Sequence, residues 1–349
     1  MRYLSLFSGI EAASVACNGM GWEAMAFAEI DPFPSAVLAK RFPGVPNLRD
    51  VTKVNWRSFV KKCGRPDLVV GGSPCQSFSI AGTRTGLEGA SGLMWEYVRA
   101  VREVRPEWIL WENVPGALSS SNGEDFRCLL EALDALGYGL AWRVLDAQFF
   151  GVAQRRERVF LVGRLGSRPP VEVLFEPEGV LWDSKSSRAK RKELAAKAGS
   201  GAACAGFKWH QGSGAGSIGL EDEQSPTITA DYHNPAVLHL DTQANTSCGG
   251  EVCGTLTSHA MKDAPVLACD DGRQNGWAVR RLTPRECERL QGFPDDWTLI
   301  PWNGRPAEEC PDGPRYKAIG NSMAVPVMRW IFERMDACAG AWKRSGSCD

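Results

Sequence analysis

The 349-residue sequence holds 12 cysteines but no Cys-x-x-Cys pair. Scattered thiols in a chain of this length do not build a disulfide scaffold, and they suit a reducing compartment. The four histidines, His210, His233, His239 and His259, have no metal-ligand spacing with cysteine, so no metal is expected. No uninterrupted apolar run reaches the length of a membrane span. The N-terminal run from Tyr3 to Phe7 is too short for a secretory signal, and Glu11 breaks the apolar stretch soon after it. A soluble, cytoplasmic protein without membrane contact is expected, as a monomer. An excess of charge is also lacking: Lys+Arg 40 against Asp+Glu 41 gives a net charge of −1. That balance neither announces nor excludes a nucleic-acid partner, because clustering of basic groups decides the matter.

What is present is the composition of an ordinary globular enzyme, 44% hydrophobic and 23% charged. The length suits one large or two modest domains. Apolar strand-like runs stand at Tyr3–Phe7, Ala24–Ala28, Asp67–Val70, Trp108–Trp111 and Val159–Val162, with a short strand at Val144. Helical stretches lie between them: 11–16, Pro34–Arg41, Leu93–Val104 and Phe126–Leu136. Strand-helix alternation predicts an α/β fold with a doubly wound, mostly parallel sheet. The character changes near Ser167. A basic run from Lys185 to Lys197 is followed by a Gly-, Ser- and Thr-rich stretch with short β-like runs. It contains an imperfect echo, Pro226–Thr229 leading to Pro235–Leu238 and Gly254–Thr257 leading to Ala264–Leu267. The expected division is 1–166 plus 314–349 as a catalytic and cofactor-binding domain, and 167–313 as a smaller β-rich domain with a hinge. Thr283-Pro284-Arg285-Glu286 reads as a helix start, and Pro326 to Met335 as a final helix.

In a doubly wound sheet the carboxyl ends of the strands share one crevice. Here they present Phe7-Ser8-Gly9, Glu29, Asp50, Cys75 and Glu112. A glycine turn after the first strand and an acid after the second suit a nucleoside. The turn Phe7-Ser8-Gly9-Ile10-Glu11 lacks G-x-G-x-x-G spacing, and Glu11 stands where a pyrophosphate would need a bare helix N-terminus. A nucleoside ligand without phosphates is favoured over NAD. Cys75 comes directly after Gly71-Gly72-Ser73-Pro74 at a strand exit, with Glu112 as an acid partner and the cluster Arg155-Arg156-Glu157-Arg158 further on. A neighbouring cation raises the thiolate fraction of a cysteine. No resolving cysteine lies close to Cys75 in sequence, which speaks against thiol redox chemistry.

From Tyr3 to about Ile331 the chain resembles the cytosine-C5 DNA methyltransferases of bacterial and phage type, with their blocks in family order. Gly72-Ser73-Pro74-Cys75-Gln76-Ser77-Phe78-Ser79 is similar to the nucleophile block and Glu112-Asn113-Val114 to the Glu-Asn-Val block. Gln154-Arg155-Arg156-Glu157-Arg158 is similar to the Gln-x-Arg-x-Arg block. Arg281–Glu286 through Leu290–Pro294 looks like the penultimate block and Gly320-Asn321-Ser322 like the last. One position departs: Glu11 stands where the family usually has a second glycine.

The resemblance implies S-adenosylmethionine as cofactor, held by Phe7, Ser8, Gly9, Glu29, Ile30, Asp50, Val51, Pro74, Leu93, Asn321 and Ser322. It implies Cys75 as the nucleophile at cytosine C6, Glu112 as the group at ring N3, and Arg156 and Arg158 as positioners of the base. Gln76, Ser79 and Asn113 would meet the substrate, and 79–92 would be a lid over it. The stretch between Val162 and Arg280 would choose the target in double-stranded DNA, with Thr227, Thr229, Thr255 and Thr257 as candidate readers. A cognate restriction endonuclease is a possible genetic partner. A tRNA cytosine-C5 methyltransferase and a non-catalytic DNA-binding relative remain as alternatives.

Overall fold

The computed structural model describes residues 1–74, 92–175 and 282–345, together with five strands between 205 and 281. Its first sheet has six strands: β1 (Arg2–Leu6), β2 (Glu23–Ala28), β3 (Leu68–Gly71), β4 (Trp108–Asn113), β5 (Tyr138–Asp146) and β6 (Glu157–Leu165). They lie in the order β2-β1-β3-β4-β6-β5. The pairings β1·β2, β1·β3 and β3·β4 are parallel, whereas β4·β6 is antiparallel. The parallel pairs are separated in sequence by α1 (Ala12–Ala16), α2 (Pro32–Arg41), α3 (Trp56–Cys63) and α4 (Gly92–Val104). A parallel partner needs a crossover of about a dozen residues, usually a helix. Between β5 and β6 there is only the short Ala147–Phe150 turn, and the sheet loses its parallel character there.

Both faces of this sheet are buried. Leu4, Leu6, Val69, Ile109, Trp111, Val159 and Leu161 share one core with Trp56 and Phe59 of α3 and Tyr97 and Val101 of α4. Phe126, Leu129 and Leu133 of α5 (Glu124–Ala135) complete it. Side chains alternate along a strand. The intervening Tyr3, Leu68, Val70, Trp108, Leu110, Phe160 and Val162 are therefore on the opposite face, and they too are buried. Each such side chain contributes about 1.5–3 kcal/mol when fully buried. That two-sided burial is why β3 and β4 read as unbroken apolar runs. The edge strand β5 differs, and it leaves Trp142 and Val144 exposed.

The chain divides into two compact units, 1–145 with 157–180 and 328–349, and 146–156 with 181–327. In the first unit, α9 (Val325–Ser345) contributes Phe332, whose ring packs 4.8 Å from Trp22. Arg329 donates to the carbonyls of Ala16 and Asn18. The short helix α6 (Val171–Leu174) is tied to α9 by Arg334, which donates to the Val173 carbonyl.

The second unit holds a five-stranded sheet in the order β11-β10-β9-β7-β8, made of β7 (Ala205–Lys208), β8 (Leu220–Glu221), β9 (Pro235–Leu238), β10 (Val266–Asp270) and β11 (Trp277–Arg281). The closing limbs of the sequence echo fall in β9 and β10, which pair in parallel at Ala236 and Val266. Among its described residues are the helices α7 (Pro284–Gln291) and α8 (Asp312–Asn321). The expected start of α7 carries a full capping box: Glu286 N donates to Thr283 Oγ1 and Thr283 N to Glu286 Oε2. Ile319, Gly320 and Asn321, which precede the final helix, form the last turn of α8.

By its sequence, Gly71 belongs to a strand exit where backbone could approach a ligand. It lies inside β3 instead, and the close approach is to its neighbour strand. A Cβ at this position would stand 2.7 Å from the Leu6 carbonyl oxygen. Gly71→Ala should therefore destabilise the first unit by about 1–3 kcal/mol, read as a lower urea midpoint at unchanged slope.

Candidate active site and cofactor turn

The turn after β1 is built from left-handed backbone. Phe7, Gly9 and Glu11 have φ of 52°, 55° and 66°. Only glycine visits that region without strain. The turn is fixed from several sides. Ser8 Oγ donates to Ser5 O, and Ala28 N donates to Ser8 Oγ. Gly9 N donates to Glu29 Oε2 at 2.8 Å, while Asp31 N donates to Glu29 Oε1 at 2.7 Å. Burial pushes the Glu29 carboxyl up, and these backbone donors oppose the shift. Each oxygen holds one donor and keeps lone-pair capacity for hydroxyls. Ile30 beside it is 61% exposed, and a Cβ on Gly9 would meet nothing within 4 Å. An open backbone, a carboxylate and a bared apolar side chain suit a nucleoside.

Asp50 Oδ1 accepts from Thr52 N and Thr52 Oγ1, and these bonds hold its carboxyl below the usual range. Val51 next to it is buried. Arg99 of α4 donates to the carbonyls of Val51 and Val54, which fixes the segment. Leu93 is half-buried near the start of α4.

The strand exit before residue 75 is bound to the end of β4. Asn113 Nδ2 donates to Ser73 O at 2.9 Å, and Trp111 Nε1 to Ser73 Oγ at 3.1 Å. Ser73 is buried and Pro74 exposed. Glu112, adjacent to both of these anchors, is nearly buried, and Arg158 Nε stands 3.4 Å from its Oε1. The register explains this pair. Glu112 lies opposite Phe160 across the antiparallel ladder. Arg158, two residues earlier, is then the diagonal neighbour on the same face, within reach of a long side chain. Cys75, Gln76 and Ser79 lie outside the described residues, as does the expected lid apart from Gly92. So do Thr227, Thr229, Thr255, Thr257, the four histidines and the basic run 185–197.

The second unit holds the other expected residues. Arg156 is buried, and its Nη2 donates to the carbonyls of Gly320 at 3.2 Å and Ser322 at 2.7 Å. Its backbone is locked as well, with N donating to Asp146 Oδ1 and O accepting from Ala147 N. Asn321 is exposed at the end of α8, and Ser322 beside it is buried. Arg156 and Arg158, two residues apart in sequence, thus have different neighbours. Arg158 faces the acid, and Arg156 braces the segment Gly320-Asn321-Ser322.

The sequence matches the C-5 cytosine-specific DNA methylase family over residues 1–337. The chain belongs to that family. It is similar to a DNA N-6-adenine-methyltransferase of Escherichia phage P1, 36% identical over 95% of this chain and 61% of that protein. It is also similar to the type II methyltransferase M2.BsuMI of Bacillus subtilis, 31% identical over 98% of this chain and 77% of the relative. Among solved structures, the Dnmt2 methyltransferase of S. pombe superposes with a TM-score of 0.64 at 19% identity, covering 95% and 97% of the two chains. The six-stranded sheet is accordingly the Rossmann-like sheet of S-adenosylmethionine-dependent methyltransferases.

Three supports of this candidate site are not evident from sequence. Asn47 accepts from Glu29 N, and its Nδ2 donates to Glu29 O and Ser35 Oγ, so it holds the acid's backbone on both sides. The Pro46-Asn47 pair is a turn signal that could have drawn attention to it. Arg99 carries no signal, because an arginine on a helix reads as a solvated charge. Glu11 reads as an interruption and a departure from the family pattern, not as a support. It is fully buried and N-caps α1, accepting from Ser14 N and Ser14 Oγ, both at 3.1 Å, and from Ser5 Oγ at 2.8 Å.

Burial pushes the Glu11 carboxyl up to about 7, against the opposing pull of the Ser5 and Ser14 bonds. A folded value above the unfolded one favours the protonated form. The stabilising contribution is therefore complete below about pH 4.3 and declines as pH rises to about 7. Between about pH 5.5 and about pH 8 the loss is about 2 kcal/mol. Glu11→Gln, neutral throughout, should lack this part of the slope, as urea midpoints at the two pH values will show.

Proposed function

We propose that this chain methylates C5 of a cytosine swung out of double-stranded DNA, with Cys75 as the covalent nucleophile. The observation that carries the reading is the hydrogen bond from Asn113 to Ser73. It binds the backbone two residues before Cys75 to the residue next to Glu112. A nucleophile block and an acid block 37 positions apart in the chain thereby share one strand end.

Cytosine C5 is a poor nucleophile, and thiolate addition splits the transfer into easier steps. The Cys75 thiolate forms a bond to C6, and the C5–C6 electron pair is displaced toward C5. Glu112 at N3 neutralises the charge that develops on the ring. Arg158 orients the Glu112 carboxylate and places a cation beside it. S-adenosylmethionine, when bound, supplies the electrophilic methyl group that the C5 pair takes. The C5 proton then leaves to a base, the S–C6 bond breaks, and the thiolate is returned. A stacked base cannot meet these groups, so extrusion from the duplex is required.

Phe7 to Gly9, Glu29, Ile30, Asp50 and Val51 would hold the nucleoside part of the cofactor, with Pro74 and Leu93 alongside. Asn321 and Ser322 would meet its amino-acid end. We assign Arg156 the bracing of this last segment, since its Nη2 serves Gly320 and Ser322. The unit that carries the five-stranded sheet would read the DNA. A cytoplasmic monomer is in keeping with this reading. The type II name of the Bacillus subtilis relative favours a restriction endonuclease as genetic partner.

The name of the phage P1 relative raises a second reading, transfer to the exocyclic amine of adenine. That reaction involves no addition to a ring carbon and leaves Cys75 without a role. Mass spectrometry of nucleosides from treated DNA separates the two: 5-methylcytosine supports the proposal, and N6-methyladenine overturns it. A duplex carrying 5-fluorocytosine in the target should form a denaturant-resistant adduct in the presence of cofactor. Cys75→Ser should abolish the adduct and lower turnover roughly a thousandfold or more, while DNA binding survives.

A further inference from the structure

The buried carboxylate of Glu11 takes no part in the chemistry above, yet it is the centre of the polar network under the cofactor turn. Three residues of the five from Phe7 to Glu11 are left-handed, and two of the three are not glycine. Such residues store of order 1 kcal/mol or more each unless the surroundings enforce them. Those surroundings are specific here. Ser14 N and Ser14 Oγ donate to Glu11 Oε1, and Ser5 Oγ donates to Oε2. Tyr3 Oη lies 2.5 Å from Ser14 Oγ, which fixes the serine in turn. Glu11 N donates to the Ser8 carbonyl at 2.9 Å and closes the turn on itself. The titratable groups acting on Glu11 are Tyr3 of β1, Cys17 at the end of α1 and Glu29 after β2. None of these three is a cation. Burying a carboxylate among such neighbours is costly. What the molecule gains is a rigid turn, one end of which, Gly9 N, reaches Glu29.

We propose that Glu11 is a positioning residue for S-adenosylmethionine: its carboxylate pins residues 7–11 in the left-handed shape that sets Gly9 and Glu29 for the cofactor. A glycine at this place would adopt the same φ freely but would leave the turn unpinned. Glu11 is a substitute for that freedom, holding by hydrogen bonds a shape that glycine would merely permit. The inference rests on the reading of this turn and Glu29 as the cofactor site.

The test uses the full chain, with S-adenosylmethionine affinity measured by calorimetry and methylation of unmethylated genomic DNA measured at varied cofactor. Glu11→Ala removes every side-chain acceptor and keeps the strain. Its Kd and KM for the cofactor should rise about tenfold or more, with kcat at saturating cofactor within about twofold and the KM for DNA unchanged. Glu11→Gln keeps an acceptor for Ser14 and should restore cofactor affinity to near the parent value. Glu11→Gly, free of strain, guards against a folding defect and should still bind the cofactor several-fold more weakly.

Parent-like cofactor affinity in Glu11→Ala or Glu11→Gly overturns the proposal, as does a fall in kcat without a change in cofactor KM. Glu29→Ala separates the role of Glu11 from the location of the cofactor site. If it binds cofactor normally, the cofactor-site reading itself is wrong. If it loses cofactor while Glu11→Ala does not, only the role of Glu11 fails.

Discussion

The antiparallel seam between β4 and β6 is the constraint on which the pairing of Glu112 with Arg158 depends. In a sheet that is otherwise parallel where its central strands meet, this seam brings the end of one strand against the beginning of another. Glu112 leaves the sheet at the place where Arg158 enters it. A parallel β6 would have carried Arg158 to the opposite edge. The direction of one strand thus decides whether the acid has a cation beside it. The same strand end, through Trp111 and Asn113, holds Ser73 and so the approach to Cys75.

The turn from Phe7 to Glu11 is held together differently. Its backbone is held in conformations that most side chains resist, and it is stabilised by polar groups brought in from β1, α1 and the end of β2. Strain in one short stretch is offset by hydrogen bonds to four others, Ser5, Ser14, Ala28 and Glu29. Rigidity of this kind leaves little ordering of the turn to be done on binding.

Much of this was legible in the sequence. The buried strands announced themselves because both faces of the sheet are covered, which leaves Leu68–Val70 of β3 and Trp108–Trp111 of β4 without polar positions. The start of α7 was legible because Thr283, Pro284 and Glu286 each perform a local job that does not depend on the rest of the fold. Elements whose identity depends on their surroundings were not legible. The eight-residue helix α3 carries only Trp56 and Phe59 to the core. The first turn of α8 contains Gly313 and Pro314, which on their own signal a turn. The nine-residue β5 is an edge strand with mixed exposure, and only Val144 stood out. Type and order in the sequence single out the candidate site residues but not the partners that hold them. Nothing in the spacing of Arg156 and Arg158 says that one meets an acid and the other two carbonyls, because that difference arises where β6 begins. Glu11 was visible as an oddity. Its meaning lies in a backbone angle, which sequence does not display.

The brace from Arg156 to Gly320 and Ser322 spans 164 and 166 positions of chain. In the first unit, Arg329 of the last helix likewise reaches back to Ala16 and Asn18. Each unit is therefore closed by residues far along the chain from the ones they hold. Contacts of such long range form slowly, and a ribosome adds only about 5–20 residues per second. A chain cut before residue 320 would keep Glu112, Arg156 and Arg158 and lack the two carbonyls that brace Arg156. The order of the chain is therefore not the order in which its contacts close: Arg156 is set only once Gly320 and Ser322 are in place.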